Sequence, residues 1–154
     1  MSVFVVDASV VVKWFVPEIH SDTARRMLAL PHEYVAPDLL FAETANTIWK
    51  KIRRGELTVE EGRQLVADIG RIAVETVPCR ALAEDAHALA NATGRTAYDS
   101  LYVALAVRLD TRSITADERL EAALRRIPAV AGHIQLVQTF ERDTQGGHDP
   151  EESE

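Results

Sequence analysis

Cysteine is almost absent from this 154-residue sequence, which contains only Cys79. A single cysteine rules out an intrachain disulfide and a cysteine-based metal cluster, and no histidine stands beside it to activate a thiol nucleophile. Long apolar runs are also missing, since the apolar N-terminal segment is interrupted by Asp7 and stops at Lys13. That segment is too short and too charged for export or for spanning a membrane, so we expect a cytoplasmic protein.

Positive charge is also scarce, because the sequence has 17 basic and 24 acidic residues and a formal net charge of −7. The imbalance is concentrated in residues 143–154, which hold five acids and no Lys or Arg. We expect this segment to be a disordered acidic tail, because it cannot bury enough apolar surface to fold. Residues 1–142 are nearly neutral and are expected to form one domain, so a nucleic-acid substrate is not excluded.

The body of the chain alternates short β-branched segments with longer segments of helical periodicity. This alternation is typical of an α/β fold, in which crossover helices connect the strands of a mainly parallel central sheet. Gly55 and Gly94 are expected to close two helices in the left-handed conformation, and Thr58 with Glu61 to open another with a capping box. The predicted strands cover residues 3–6, 34–36, 75–77, 113–115 and 134–137, and the predicted helices cover residues 9–15, 21–30, 38–54, 58–73, 80–93, 96–109 and 117–126.

Two aspartates lie where a predicted strand gives way to a helix. Asp7 follows the first strand and Asp117 follows the strand at 113–115. The carboxyl ends of parallel strands are where open α/β sheets place their ligand clefts. Both positions also have an ordinary structural explanation, since Asp7 is a favoured helix N-cap and Asp117 is a helix-favouring acid inside a possible capping box of Thr115 with Glu118.

Glu43 lies in the predicted helix 38–54, on the side away from an apolar stripe that we expect to pack on the core. Taken alone, it is an ordinary solvated glutamate. Leu39 and Leu40 lie on the same side and indicate that this face is partly covered. Asn46, one turn further, either supports a site there with a hydrogen bond or is a surface residue. The stripe consists of Phe41, Ala45, Ile48, Trp49 and Ile52.

Asp99 lies near the start of a predicted helix that is apolar on nearly every side. Such a helix is expected to be buried, and a buried carboxylate needs a cation, a metal or several hydrogen-bond donors. The structural alternative is a capping box, in which the Asp99 side chain bonds back to the amide of Thr96. A parallel sheet would bring these acids toward one edge, where a hard divalent cation would relieve their mutual repulsion.

The acids occur in four short motifs whose order and spacing resemble a known family. The motifs are Val-Val-Asp-Ala-Ser at Asp7, Phe-Ala-Glu-Thr-Ala-Asn at Glu43, Thr-Ala-Tyr-Asp-Ser-Leu-Tyr-Val-Ala-Leu-Ala at Asp99 and Thr-Ala-Asp-Glu-Arg-Leu at Asp117. Over about residues 3–138 the sequence resembles the PIN domain and, within it, the VapC toxins of type II toxin–antitoxin systems. The resemblance implies a three-layer fold with helices flanking the central sheet.

The same resemblance implies a site and an activity. Asp7, Glu43, Asp99 and Asp117 would form an acidic quartet that binds Mg²⁺ or Mn²⁺. Asp7 and Asp99 are the expected direct ligands, while Glu43 and Asp117 would bind a second ion, hold water or act as a base. The expected activity is hydrolysis of RNA phosphodiester bonds. The supporting hydroxyls implied by the motifs are those of Ser9 and Thr115.

RNA must approach an acidic pocket, so basic side chains are needed at its margin. The best candidates form the run Lys50, Lys51, Arg53 and Arg54, for which a cationic helix end is an equally good explanation. The VapC resemblance further implies a VapB-like antitoxin, whose C-terminal segment would cover the acidic pocket, and a homodimer.

Two other classes of function compete with a nuclease. A receiver-like signalling module also has acids at strand ends, but it is expected to have an adjacent acidic pair and a lysine near the last strand. In this sequence Val6 precedes Asp7, and the last predicted strand contains no lysine. The second alternative is a PIN fold retained only for binding, and metal-dependent RNA cleavage by the purified chain distinguishes it from the enzyme.

Overall fold

Residues 2–140 are described by a computed structural model, and the predicted acidic tail at 143–154 lies outside this range. They contain a five-stranded sheet with the order β3-β2-β1-β4-β5, in which each pair of neighbouring strands is parallel. The predicted α/β class with a parallel central sheet is confirmed. The strands are β1 (Val3–Val6), β2 (Glu33–Pro37), β3 (Glu75–Val77), β4 (Ser113–Thr115) and β5 (Ile134–Leu136), all within one residue of the predicted bounds.

Strand β1 lies in the middle of the sheet, between β2 and β4. Val5 pairs with Val35 of β2 and Ser113 of β4, and both Val5 and Val6 are completely buried. A parallel strand that is covered on both faces needs apolar side chains on both, which explains why this segment lacks polar alternation. Because β1 and β4 are neighbours, the residues that follow these two strands meet at the carboxyl edge of the sheet.

Seven α-helices flank the sheet within the described residues. Every residue of α6 from Ser100 to Ala106 is buried, as predicted from its apolar residues on all sides. This helix packs on β1, β2 and β4 and against α5, while α1 packs against α2 and α3. No helix in residues 2–140 is long and apolar enough to cross a membrane. The helices are α1 (Ala8–Phe15), α2 (Ser21–Arg26), α3 (Leu40–Arg53), α4 (Val59–Ile69), α5 (Cys79–Thr93), α6 (Ala97–Arg108) and α7 (Glu118–Arg125).

Three of the predicted helix ends are confirmed. Thr58 Oγ1 accepts the Glu61 amide at 3.1 Å and Glu61 Oε1 accepts the Thr58 amide at 3.2 Å, so α4 begins with the predicted capping box. Gly55 and Gly94 have φ angles of +77° and +73°, in the left-handed region where a side chain would be strained. Helix α4 is shorter than predicted, because it ends at Ile69 rather than near residue 73.

The possible capping box of Thr115 with Glu118 is not formed. Thr115 lies in β4, and Asp117 is itself the N-cap of α7, since its Oδ1 accepts the Leu120 amide at 3.0 Å. At α6, Thr96 is the N-cap, and its Oγ1 accepts the backbone amide of Asp99 at 3.1 Å. Capping of α6 therefore involves the backbone of Asp99, whose carboxylate can serve another purpose.

The apolar stripe predicted for α3 is only partly correct. Trp49 is 54% exposed, and the buried residues of this helix are Leu40, Thr44 and Ile48. Helical periodicity identifies the apolar side of a helix but not which neighbours cover it, and α3 contacts both α1 and α4. Trp49 lines an open groove between α3 and α4, where the Arg53 guanidinium carbon is 5.6 Å from its ring centre.

Candidate metal-binding active site

Asp7 lies directly after β1 and is both a helix cap and a member of a polar cluster. Its Oδ1 accepts the Val10 amide at 3.2 Å, so the N-cap role considered for it is real. Ser9 Oγ donates to Oδ1 and Thr115 Oγ1 donates to Oδ2, each at 2.5 Å. A carboxylate has about four lone-pair positions, so these bonds leave capacity for a further partner.

The two hydroxyls beside Asp7 are themselves fixed by the backbone that follows β4. The Ala116 amide donates to Ser9 Oγ at 2.9 Å, and the Asp117 amide donates to Thr115 Oγ1 at 3.1 Å. These bonds join the start of α1 to the loop between β4 and α7. The structure thus places both predicted supporting hydroxyls in contact with the Asp7 carboxylate.

Glu43 comes from α3 and is held by a tyrosine that the sequence analysis did not select. The Tyr102 hydroxyl donates to Glu43 Oε1 at 2.7 Å, and the tyrosine is only 4% exposed. Tyr102 lies three residues after Asp99, so both side chains are on the same face of α6. A buried tyrosine in an apolar helix needs a polar partner, and this requirement is the signal that could have identified it.

Asp99 and Asp117 complete the set of acids. Arg95 Nη2 lies 3.6 Å from Asp99 Oδ2, and this ion pair is about one-third exposed on both sides. Asp117 caps α7 through Oδ1, as Asp7 caps α1. Two of the four acids are thus fixed at helix N-termini that follow neighbouring strands, where the backbone amides favour negative charge.

A cleft of about 380 Å³ brings the four acids together. Asn46 is exposed and is not part of its lining, whereas Thr47, the next residue on α3, is. Of the basic run on α3, only Lys51 lines the cleft, because Lys50, Arg53 and Arg54 are exposed outside it. The lining consists of Asp7, Ala8, Ser9, Val12, Lys13, Glu18, Glu43, Thr47, Lys51, Asp99, Tyr102, Ala116, Asp117 and Leu120.

Burial disfavours negative charge on three of the acids. It raises the pKa of Asp7 to about 6, even though hydrogen bonds from Ser9, Thr115 and Val10 favour the charged form. Burial also raises the pKa of Glu43 and of Asp99 above their ordinary values, and Arg95 opposes the shift at Asp99 only in part. The acids also act on one another: the charge of Glu43 raises the pKa of Asp7, and that of Asp99 raises the pKa of Glu43.

The chemistry of these donors suits a hard divalent cation. All are carboxylate or hydroxyl oxygens, the ligands that Mg²⁺ and Mn²⁺ prefer. A cation would compensate the buried charge that raises these pKa values. Among residues 2–140, no three His, Cys, Asp or Glu side chains are grouped tightly enough to hold an ion as they stand. The carboxylates would therefore have to draw together around a bound ion, against their mutual repulsion.

A cleft of carboxylates at the carboxyl edge of a parallel sheet is the kind of site in which enzymes use divalent cations for phosphodiester chemistry. The model of the PIN domain family matches residues 4–125. The chain is 36% identical to Ribonuclease VapC3 of Pyrobaculum aerophilum over 118 residues, which cover 75% of this chain and 90% of that protein. The chain therefore belongs to the PIN-domain family and, within it, to the VapC-type ribonucleases, as the resemblance predicted.

Solved structures agree with this assignment at the level of the fold. PAE2754 from Pyrobaculum aerophilum has a TM-score of 0.65 and 20% identity, with 92% of this chain and 88% of that chain covered. VapBC2 from Rickettsia felis, bound to a DNA fragment from the promoter, has a TM-score of 0.59 and 15% identity, with coverage of 87% and 98%. At these identities the likeness concerns the fold alone. Dependence on a divalent metal is typical of PIN-domain ribonucleases.

Proposed function

We propose that this chain hydrolyses RNA phosphodiester bonds with Mg²⁺ or Mn²⁺ held by Asp7, Glu43, Asp99 and Asp117. The observation that carries the proposal is the convergence of these acids in one cleft, two from the N-caps that follow β1 and β4 and two from α3 and α6. Burial disfavours the charge of three of them, and a divalent cation would remove that cost. Membership of the PIN-domain family also rules out the receiver-like alternative.

Each side chain has a distinct part in this proposal. When bound, the cation would neutralise charge on the phosphate and lower the pKa of water. Asp7 and Asp99 are the proposed direct ligands, and Ser9 and Thr115 keep the Asp7 carboxylate oriented by their hydrogen bonds. Glu43, which accepts the Tyr102 hydroxyl, and Asp117 would bind a second ion, hold water or accept a proton near the phosphate.

The proposed biological role is that of the toxin in a toxin–antitoxin pair. Two similarities support it: the curated relative is a VapC ribonuclease, and the chain shares its fold with a chain in the structure of VapBC2 from Rickettsia felis. The partner would be a VapB-like antitoxin that covers the acidic cleft. We also propose that the protein is a cytoplasmic homodimer and that the domain at 1–142 is followed by an acidic tail.

Brief expression of the chain in cells tests this role. We expect wild-type expression to create new RNA ends at defined positions, because hydrolysis leaves a new terminus at each cleaved bond. Expression of Asp7→Asn should leave the RNA ends of uninduced cells, since the variant lacks a proposed metal ligand. Mapping RNA ends in both cultures makes the comparison. If the two cultures give the same ends as uninduced cells, the toxin role is contradicted.

Tyr102→Phe should lower kcat about tenfold, because a hydrogen bond to a charged group stabilises it by roughly 1.5–3 kcal/mol. The lost bond favoured ionised Glu43, so the pKa of Glu43 should rise and the acid limb of the pH–rate profile should move to higher pH. Tyr34→Phe is the matched control, because the Tyr34 hydroxyl donates to the Met27 carbonyl outside the cleft. If the pH–rate profile of Tyr102→Phe is unchanged, Tyr102 does not influence Glu43 in catalysis.

A further inference from the structure

The cleft contains a cationic cluster in addition to its carboxylates. Lys13 on α1 and Lys51 on α3 both line it, and their side chains are only 8% and 13% exposed. Glu18 lies between them, with Oε1 3.4 Å from Lys13 Nζ and Oε2 2.8 Å from Lys51 Nζ. Burying an ammonium group is costly without partners, so two lysines in one cleft wall require an explanation.

The described contacts leave hydrogen-bonding capacity on both ammonium groups. One carboxylate, Glu18, faces two ammonium groups, and the next nearest acid, Glu56, is half exposed and 3.7 Å from Lys51 Nζ. Lys13 also donates to the Ile19 carbonyl at 2.7 Å, so two of its three donors are accounted for. Lys51 donates to Glu18 Oε2, so these contacts hold both ammonium groups in place and leave donors that an anionic oxygen could accept.

The position of Lys51 on α3 relates the cluster to the proposed metal ligands. Glu43, Thr47 and Lys51 follow one another at intervals of four residues and line the same cleft, so they form one row along the helix. Lys51 lies two turns, about 12 Å along the axis, beyond Glu43. An extended polyanion that lies along this row would meet the carboxylates at one point and the lysines at another.

We propose that Lys13 and Lys51, positioned by Glu18, bind a backbone phosphate of the RNA strand to one side of the phosphate that is cleaved. This inference rests on the proposed ribonuclease function and assigns the part of the site that recognises the strand. The lysines explain how a polyanion enters a cleft of carboxylates, since their attraction offsets part of the repulsion. The contact is to the backbone, so it would favour all RNA sequences alike.

The proposal is tested by cleavage kinetics of the full-length protein. The substrate is a single-stranded RNA oligonucleotide, and rates are measured with Mg²⁺ or Mn²⁺ at several salt concentrations. Lys51→Gln should raise KM about tenfold with kcat nearly unchanged. It should also reduce the slope of log KM against log salt by about 0.7, the value for one phosphate contact on a single strand. Arg71→Gln, which removes one charge from an exposed side chain outside the cleft, should leave KM and the slope unchanged.

A double variant separates RNA binding from a purely structural ion pair. Lys51→Gln leaves Glu18 paired with Lys13, so the single variant should fold. Glu18→Gln with Lys51→Gln removes both partners of the 2.8 Å ion pair, while Lys13 keeps its bond to the Ile19 carbonyl. KM should remain raised in the double variant if Lys51 contacts RNA. A wild-type KM in the double variant, or in a folded Lys51→Gln protein, would overturn the phosphate site. Absence of metal-dependent cleavage by the wild-type protein would instead refute the ribonuclease function itself.

Discussion

Replacing Asp99 with asparagine should lower metal-dependent RNA cleavage about a thousandfold, equivalent to roughly 4 kcal/mol of lost transition-state stabilisation. Asparagine keeps the size of the side chain but removes the anionic oxygen that a divalent cation requires. The start of α6 should be unaffected, because Thr96 accepts the backbone amide of residue 99, which the substitution retains. The fold should be at least as stable without metal, since the substitution removes a charge that burial disfavours, that Arg95 stabilises only in part and that Asp117 repels.

Cleavage rates and thermal melting, each followed across a Mg²⁺ or Mn²⁺ titration, measure both parts of this prediction. The wild-type protein should gain stability from the metal by mass action, and Asp99→Asn should gain less. Asp85→Asn is the matched control, because Asp85 is an exposed acid on α5 that pairs with Arg108 at 3.6 Å. Full cleavage by Asp99→Asn, or the same metal-induced stabilisation as in the wild type, would show that Asp99 is not a ligand.

Asp7→Asn should make the metal-free protein more stable near neutral pH, although it removes a proposed ligand. The folded-state pKa of Asp7 is raised to about 6 from 3.8, so the native state holds its proton more tightly than the unfolded state. The free energy of unfolding should therefore fall as pH rises between these two values, by up to about 3 kcal/mol. Asparagine carries no charge and can still accept the Val10 amide, so it avoids this loss.

Denaturant unfolding in the presence of a chelator, from about pH 4 to about pH 8, gives the measurement. The Asp7→Asn protein should be more stable than the wild type above pH 6, and the difference should shrink as pH falls toward the ordinary pKa of an aspartate. Added metal should reverse the order, because it binds the charged form that only the wild type has. If the difference in metal-free stability between the wild type and Asp7→Asn does not depend on pH, the raised pKa of Asp7 is contradicted.

Much of the fold follows from local sequence patterns. The five strands were predictable because each is a short β-branched segment bounded by turn or capping residues, and β1 is apolar throughout because both its faces are covered. The orientation of α3 was not predictable in full. Trp49 belongs to the apolar stripe by spacing, but it lies in an open groove because the positions of α1 and α4 decide which part of the stripe is covered.

The site was predictable to the extent that its residues follow strands or lie in short motifs. Asp7 and Asp117 could be placed at the sheet edge from local pattern, although the pattern could not decide between a cap and a ligand. The structure gives both the capping role. Contacts between residues far apart in the sequence could not be predicted, because no local pattern indicates them. The bond between Tyr102 and Glu43 spans 59 residues, and the ion pair of Lys51 with Glu18 spans 33.

The most direct test of the proposed metal site is RNA cleavage by the purified full-length chain after divalent ions have been removed and then returned. We predict no cleavage in the presence of a chelator and a saturable recovery as Mg²⁺ or Mn²⁺ is added, because the carboxylates of the cleft need a cation to act on a phosphate. Cleavage that persists under the chelator, or a protein that cleaves no RNA with either ion, would contradict the metal-dependent ribonuclease.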